Sequence, residues 1–193
     1  MDIENKSYKS FEFNYLIDYK KISEAIEFYK FKGFSHIEVP WDTSEKYRNI
    51  TFNGEDFNPI GENRYLVGSA EQSFAMLYHL EKIEKGSYVA CTPCFRGDEI
   101  DKYHQEYFMK VELFDNNDTS EKRLLHIINL ARTFFEKYIS VKIVKIGAFE
   151  YDIMTHFDLE LGSYGIRQHG NLKWIYGTGI AEPRLSKALI TLN

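Results

Sequence analysis

The sequence predicts an α+β fold, and two observations support this prediction. Apolar residues recur at helical spacing in three segments of this 193-residue chain, at about residues 18–32, 69–84 and 120–139. Two other stretches, residues 89–96 and 106–114, alternate between apolar and polar side chains and enclose a charged segment at 97–105. Such alternation is typical of two antiparallel strands joined by a loop.

Composition favours one globular domain spanning residues 1–193. Hydrophobic residues make up 44% of the chain and charged residues 27%, which is typical of a soluble folded protein. A net charge of −5 argues against a surface that coats nucleic acid. No apolar run is long enough to span a bilayer, and the first ten residues lack the apolar core of a signal peptide. We therefore expect a cytoplasmic protein without a membrane partner.

The two cysteines, Cys91 and Cys94, form a C-x-x-C pair. Such a pair can supply half of a zinc site or a redox couple. The sequence contains no second C-x-x-C and no H-x-x-x-H to complete a tetrahedral zinc site. We therefore expect both cysteines to be small, buried residues of a strand.

The predicted strand pair carries Arg96 near the end of its first strand and Phe108 on its second. An antiparallel pair places these two residues at the same end of the sheet. An arginine binds phosphate through paired, charge-assisted hydrogen bonds, and an aromatic ring offers a flat face to a base. The two residues are thus a candidate nucleotide clamp. The alternative is an ordinary hairpin with a surface ion pair and a core phenylalanine.

Carboxylates occur at two other places where a site is plausible. Ser69 is a candidate cap for the second helix, and Glu71 lies in its first turn. Glu71 either complements the helix dipole or binds a substrate ammonium group. Farther along the chain, residues 156–165 alternate between polar and apolar, which predicts Asp158 and Glu160 on one face of a strand. Such a pair either binds a divalent cation or is simply solvated.

The remaining segments complete the predicted order of elements. Short strands are expected at about residues 34–39, 64–67, 141–146, 149–154 and 172–176, and Asn53-Gly54 marks a tight turn. A glycine-rich turn at residues 177–182 then leads through Pro183 into a last helix at about 185–192.

In this order, the segments resemble the catalytic domain of class II aminoacyl-tRNA synthetases, most closely the seryl type. Residues 18–40 look like motif 1, residues 89–114 like motif 2 and residues 172–192 like motif 3. Ser69-Ala-Glu71 resembles the T-x-E substrate loop of that family, and Glu160-Leu-Gly-Ser163 resembles its E-x-x-S strand. The resemblance implies an antiparallel β-sheet flanked by helices, which binds ATP in a bent conformation.

The resemblance also implies roles for individual residues. Arg96 would contact the α-phosphate of ATP, Phe108 would stack on adenine, and Arg184 would cover its other face near the γ-phosphate. Glu160 would bind Mg²⁺. The full set implied for ATP is Arg96, Asp98, Glu99, Phe108, Glu160, Ser163 and Arg184, with Arg96 and Arg184 as the catalytic pair. The set implied for the amino acid is Ser69, Glu71, Lys110 and Glu112.

Several departures from the seryl pattern bear on the substrate and on the acceptor. The segment between Arg96 and Phe108 is shorter, Asp98 stands where glutamate is usual, and Pro183 replaces a glycine. The Gly165-Ile166 region lacks the polar residues that help to read serine in that family, which leaves room for a different or less polar amino acid. No tRNA-binding arm or anticodon domain is recognised in the sequence. The acceptor is then a carrier protein, a small molecule, or a tRNA presented by a partner.

We therefore expect ATP-dependent activation of an amino acid to an aminoacyl-adenylate by a homodimer formed through the motif 1-like region. The alternative is a non-catalytic relative that senses a ligand or acts as a regulatory subunit. A third possibility, a tRNA-editing or tRNA-binding accessory protein, predicts a basic stripe, and the lysines are instead scattered along the chain.

Overall fold

A computed structural model describes residues 17–51, 59–96, 103, 105 and 107–191 of the chain. The helices are α1 (Tyr19–Phe31), α2 (Glu45–Arg48), α3 (Ala70–His79), α4 (Glu121–Phe135) and α5 (Arg184–Thr191). The strands are β1 (Ser35–His36), β2 (Asp42–Ser44), β3 (Pro59–Gly61), β4 (Arg64–Leu66), β5 (Ser87–Phe95), β6 (Tyr107–Asp115), β7 (Val141–Gly147), β8 (Glu150–Thr155), β9 (Glu160–His169) and β10 (Leu172–Glu182).

Within these residues, seven strands form one sheet in the order β1-β5-β6-β10-β9-β8-β7. The short β1 is parallel to β5, and every other neighbouring pair is antiparallel. Strands β2, β4 and β3 form a separate small sheet. The predicted α+β class, with an antiparallel sheet flanked by helices, is confirmed.

Different helices pack on the two faces of the large sheet. Helices α1, α4 and α5 pack on one face, where Tyr29, Phe134 and Leu185 belong to one cluster of buried side chains. Helix α3 packs on the other face, where Phe74 stacks on Phe114 in a second cluster. Because side chains alternate along a strand, residues that share a face with Phe114 lie on the α3 side.

The ends of α1 follow from its sequence. The Asp18 side chain accepts hydrogen bonds from the backbone N–H groups of Lys20 and Lys21, at 3.0 and 3.1 Å, and so caps the first turn. Gly33, just past the end of the helix, has a φ of +93°, a conformation that glycine adopts at no steric cost. Both ends agree with the predicted helix at about residues 18–32.

A bulge in β10 determines which side chains face α3. The pairing of β10 with β6 shifts between Thr178 and Ile180, so Ile180 joins the α1 side and Ala181 faces α3. Gly179 lies at this bulge, where a Cβ atom would come within 2.7 Å of the Tyr29 ring. The Tyr29 hydroxyl donates a buried hydrogen bond of 3.0 Å to the Gly179 carbonyl, which ties α1 to the bulge.

The cysteines lie in β5, as predicted. Both are free thiols; Cys94 is fully buried and Cys91 is partly buried. Burial raises the pKa of Cys94 and raises that of Cys91 to about 12. Because the thiolate is the reactive form, both are structural residues at neutral pH.

Several sequence predictions of secondary structure are wrong in part. Helix α4 ends at Phe135 rather than near residue 139. Helix α3 ends at His79 rather than near residue 84, because Glu81 takes a φ of +55°. The strand expected at 34–39 shrinks to two residues. The glycine-rich segment at 177–182 is not a turn but the second half of β10, since its glycines allow close packing against neighbouring side chains. The turn expected at Asn53-Gly54 lies outside the described residues.

Asp158 does not share a strand face with Glu160. It has a φ of +64° in the turn before β9, where its carboxylate pairs with Lys142 at 2.5 Å and remains exposed. The tight turn between β8 and β9 requires this left-handed residue, and aspartate tolerates that conformation better than most residues do.

Among the described residues, no helix is both long and apolar enough to cross a membrane.

Glu182, the last residue of β10, is fully buried on the α1 side. Neither of its carboxylate oxygens accepts a hydrogen bond of good geometry from the described residues. Burial raises its pKa to about 7, while nearby Ser186 and Lys21 oppose the increase. The folded state therefore favours the protonated form of the Glu182 carboxyl. Ionisation of this group shifts the folding equilibrium towards the unfolded chain.

We predict that Glu182→Gln removes this pH-dependent loss of stability. Below about pH 4.5 the wild-type carboxyl is neutral in both states, so its ionisation costs the fold nothing. Between about pH 4.5 and 7 the wild type should lose up to about 3 kcal/mol relative to the variant, and the difference should then level off. Urea unfolding at several pH values measures it, with the exposed Glu62→Gln as the control. A difference that does not change with pH would contradict the prediction.

Candidate active site

A cavity of about 240 Å³ lies on the α3 face of the large sheet. Most of its walls come from β6, β9 and β10, and the first turns of α3 and α5 close its ends. Its lining residues are Thr51, Ser69, Glu71, Arg96, Phe108, Lys110, Glu160, Leu161, Ser163, Arg167, Tyr176, Thr178, Ala181 and Arg184.

One end of the cavity contains an aromatic ring and two arginines. The guanidinium carbon of Arg96 lies 5.3 Å from the centre of the Phe108 ring, and that of Arg184 lies 6.0 Å from it. Arg96 is oriented by a 3.0 Å hydrogen bond from Nε to the Gly68 carbonyl. Arg184 is oriented by Glu160, with Nη1 3.4 Å from Oε1. This end combines a planar surface with two positive charges.

The other end is organised by the carboxylate of Glu71, which is almost completely buried. Arg167 donates from Nη1 to both of its oxygens, at 2.6 and 2.8 Å. Trp174 donates from its indole nitrogen to Oε2 at 2.9 Å. The carboxylate therefore joins α3 to β9 and β10, and its charge is compensated inside the fold.

A second buried carboxylate, Glu112, lies beneath the cavity wall. Its Oε2 is 2.5 Å from Lys110 Nζ and accepts a 2.7 Å hydrogen bond from the Ser69 hydroxyl. Its Oε1 is buried without a hydrogen-bond partner among the described residues. Burial raises the pKa of Glu112, and the neighbouring Lys110 opposes the increase. Glu112 thus has one unused acceptor close to the cavity.

Near Arg184, the residues suit a divalent cation. Asp152 on β8 pairs with Ser163 on β9, and its Oδ1 is buried without a partner among the described residues. Burial and the nearby Glu160 raise the pKa of Asp152, so extra positive charge would be favourable there. The described residues contain no cluster of three or more metal-binding side chains. Mg²⁺ bound to phosphates needs only one or two protein carboxylates.

The structure brings most of the predicted site residues to this cavity. Those that line it are Ser69, Glu71, Arg96, Phe108, Lys110, Glu160, Ser163 and Arg184. Glu112 does not line the cavity but contacts two residues that do. Asp98 and Glu99 lie outside the described residues.

Sequence reasoning missed Asp152, Arg167, Trp174 and Tyr176. A period of two on β9 was a usable signal for Arg167, because it places residues 163, 165 and 167 on one face. The contact of Arg167 with Glu71 joins residues 96 positions apart, and no local pattern predicts such a pair.

We predict that Trp174→Phe weakens the fold, because it removes the indole donor to Glu71 and leaves space in a fully buried position. The expected loss of unfolding free energy is about 2 kcal/mol or more. The other tryptophan, Trp41, is 53% exposed, so Trp41→Phe should change stability by less than about 0.5 kcal/mol. Chemical denaturation followed by circular dichroism compares the two variants, and equal losses would contradict the role given to Trp174.

No family model matches the sequence, and no curated protein matches it. Solved structures do match. The chain is similar to a pyrrolysyl-tRNA synthetase from Desulfitobacterium hafniense, with 16% identity, 91% of this chain and 70% of that chain covered, and a TM-score of 0.74.

It is also similar to two seryl enzymes of which it spans about half the length. The seryl-tRNA synthetase of Pyrococcus horikoshii, complexed with ATP, shows 21% identity over 89% of this chain and 49% of that one, with a TM-score of 0.72. The cytoplasmic serine-tRNA ligase of Naegleria fowleri, in complex with AMP, shows 17% identity over 87% of this chain and 47% of that one, with a TM-score of 0.66. The described chain therefore has the fold of the catalytic core of class II aminoacyl-tRNA synthetases.

Proposed function

We propose that this protein binds ATP and an α-amino acid and converts them to an aminoacyl-adenylate and pyrophosphate. The observation that carries the proposal is the division of one cavity into two ends. Phe108 lies beside Arg96 and Arg184 at one end, and the buried carboxylate of Glu71 lies at the other, with Glu112 beneath the wall. The similar seryl enzymes, complexed with ATP and AMP, support a nucleotide at this site.

The proposed reaction needs no covalent bond between the protein and a substrate. An oxygen of the amino acid carboxylate attacks the α-phosphorus of ATP, and the bond from that phosphorus to the pyrophosphate oxygen breaks. Negative charge concentrates on the phosphoryl oxygens in the transition state, so fixed positive groups and in-line alignment accelerate the step. Arg96 and Arg184 are held by Gly68 and Glu160 before substrate binds, which reduces the cost of reorganisation.

The aromatic ring and the buried carboxylate support a separate end of the cavity for each substrate. Phe108 offers a face to the adenine ring, and the arginines beside it bind the phosphates. The substrate ammonium group requires a negative partner, which Glu71 supplies at the cavity wall, and the Oε1 atom of Glu112 adds an acceptor beneath that wall. Ser69 and Lys110 hold Glu112 in place.

Mg²⁺ would be held by Glu160 and Asp152, with Ser163 beside them. The orphaned Oδ1 of Asp152 fits this assignment. When bound, the ion neutralises phosphate charge. The Glu160–Arg184 pair then orients the arginine beside the same phosphates.

We also propose a homodimer through the motif 1-like region. Tyr19 and Phe31, near the two ends of α1, are 64% and 85% exposed, and Trp41 follows the region with 53% exposure. Large exposed aromatic side chains are enriched at protein interfaces. A monomeric mass at micromolar concentration in sedimentation would exclude the dimer.

For the acceptor, we propose a carrier protein, a small molecule, or a tRNA that a partner presents. The net charge of −5 supports this proposal, because tight tRNA binding relies on neutralising phosphates with basic residues. Binding of unfractionated tRNA by this chain alone, at nanomolar concentration and physiological salt, would contradict it.

The test of the proposed function is amino-acid-dependent exchange of labelled pyrophosphate into ATP, across all standard amino acids. We expect exchange with at least one amino acid. Arg184→Gln should lower the rate by about 100-fold or more, since it removes a charged contact to the phosphates. The control is Arg132→Gln, an arginine on the exposed face of α4 that pairs with Glu136, and it should keep the wild-type rate.

Two outcomes would contradict the proposed enzymatic activity. Absence of exchange together with absence of ATP binding by calorimetry would exclude both the activity and the nucleotide site. ATP binding without exchange would instead favour the ligand-sensing alternative.

A further inference from the structure

Among the described residues that line the cavity, Arg167 is the cationic side chain to which the proposed reaction gives no role. Arg96 and Arg184 belong to the nucleotide end, beside Phe108, and Lys110 is paired with the buried Glu112. Arg167 lies at the amino acid end, against Glu71 and Tyr176. Its side chain lines the cavity and is 31% exposed.

One edge of the Arg167 guanidinium group is available for a ligand. Both hydrogen bonds to Glu71 come from Nη1. Within the described residues, Nε and Nη2 donate no hydrogen bond. The N–H groups of these two atoms are parallel, and such an edge binds a carboxylate through two hydrogen bonds at once.

The surrounding residues hold this group in place. Its guanidinium carbon lies 3.9 Å from the centre of the Tyr176 ring, a stacking contact, while Trp174 orients its carboxylate partner Glu71. Position 165 must be glycine for Tyr176 to lie there, because a Cβ atom would come within 2.7 Å of the Tyr176 ring. The edge is therefore preorganised, which lowers the entropy lost on binding a ligand.

We propose that Arg167 binds the side-chain carboxylate of the substrate, so that the amino acid activated is one whose side chain ends in a carboxylate. This inference rests on the proposed function and specifies its substrate class. The substrate then carries three charges, and the cavity provides a partner for each. Arg96 would meet the α-carboxylate that reacts, Glu71 would face the ammonium group with Glu112 beneath it, and Arg167 would bind the side chain.

The same geometry disfavours other substrates. An apolar side chain would cover the Arg167 edge without bonding to it and leave its donors unpaired, and an amide side chain would offer one acceptor oxygen instead of two. A basic side chain would meet a like charge. A site built to hydrogen-bond a substrate group rejects analogues that lack the group, often by 10⁴-fold or more.

The test compares aspartate with asparagine and glutamate with glutamine in the pyrophosphate exchange assay, because each pair differs in charge and hardly in shape. We expect kcat/KM for one acid to exceed that for its amide by about 100-fold or more. Arg167→Lys keeps the charge but loses the two-donor edge. It should lower kcat/KM for the acid by about 30-fold or more and leave the KM for ATP nearly unchanged. The matched control is Arg64→Lys, whose arginine pairs with Asp42 outside the cavity.

The outcomes separate this inference from the proposed function. Exchange that prefers a neutral amino acid would overturn the assignment of Arg167 and leave the activity standing. If no amino acid supports exchange, calorimetry with aspartate and glutamate tests whether Arg167 binds an acidic ligand. Binding of either acid that Arg167→Lys loses would support the inference for a ligand-sensing protein, and no binding of either would overturn it.

Discussion

The ion pair between the buried Glu71 and the partly exposed Arg167 is the interaction on which the rest of the site depends. It joins the first turn of α3 to β9, and Trp174 extends the connection to β10. A buried carboxylate without partners would be strongly destabilising, so its partners must be in place whenever the chain is folded. The pair therefore fixes the position of α3 on the sheet and forms one wall of the cavity.

The sheet delivers the other functional groups to that wall through strand alternation. The pairing of β5 with β6 puts Phe108 beside Arg96, and the bulge at Gly179 selects Ala181 over Ile180 for the cavity face. Small residues permit these arrangements. Gly165 allows Tyr176 to lie beneath Arg167. The site is thus a consequence of register and of side-chain size at a few positions.

Sequence reasoning was most successful where the determinants are local. The helix cap at Ser69 and the meeting of Arg96 with Phe108 follow from short-range patterns, and the structure contains both. It failed where a backbone conformation interrupts a pattern. Asp158 continues the alternation of β9 in the sequence, but its positive φ places it in a turn.

Long-range partners were the other source of error. The Arg167–Glu71 contact and the orphaned oxygen of Asp152 exist because β8, β9 and α3 meet in space. A single sequence has no local signal for such meetings. The ordered motifs that resemble class II synthetases predicted the fold because they span most of the chain. The matches to solved structures cover a similar share of the chain.

A crystal structure with bound ATP and Mg²⁺ tests the central claim most directly, because it locates the nucleotide relative to the two ends of the cavity. The expected result is adenine stacked on Phe108, the triphosphate in contact with Arg96 and Arg184, and the Arg167 end left for the amino acid. A nucleotide bound against Arg167 and Tyr176, or outside the cavity, would contradict it.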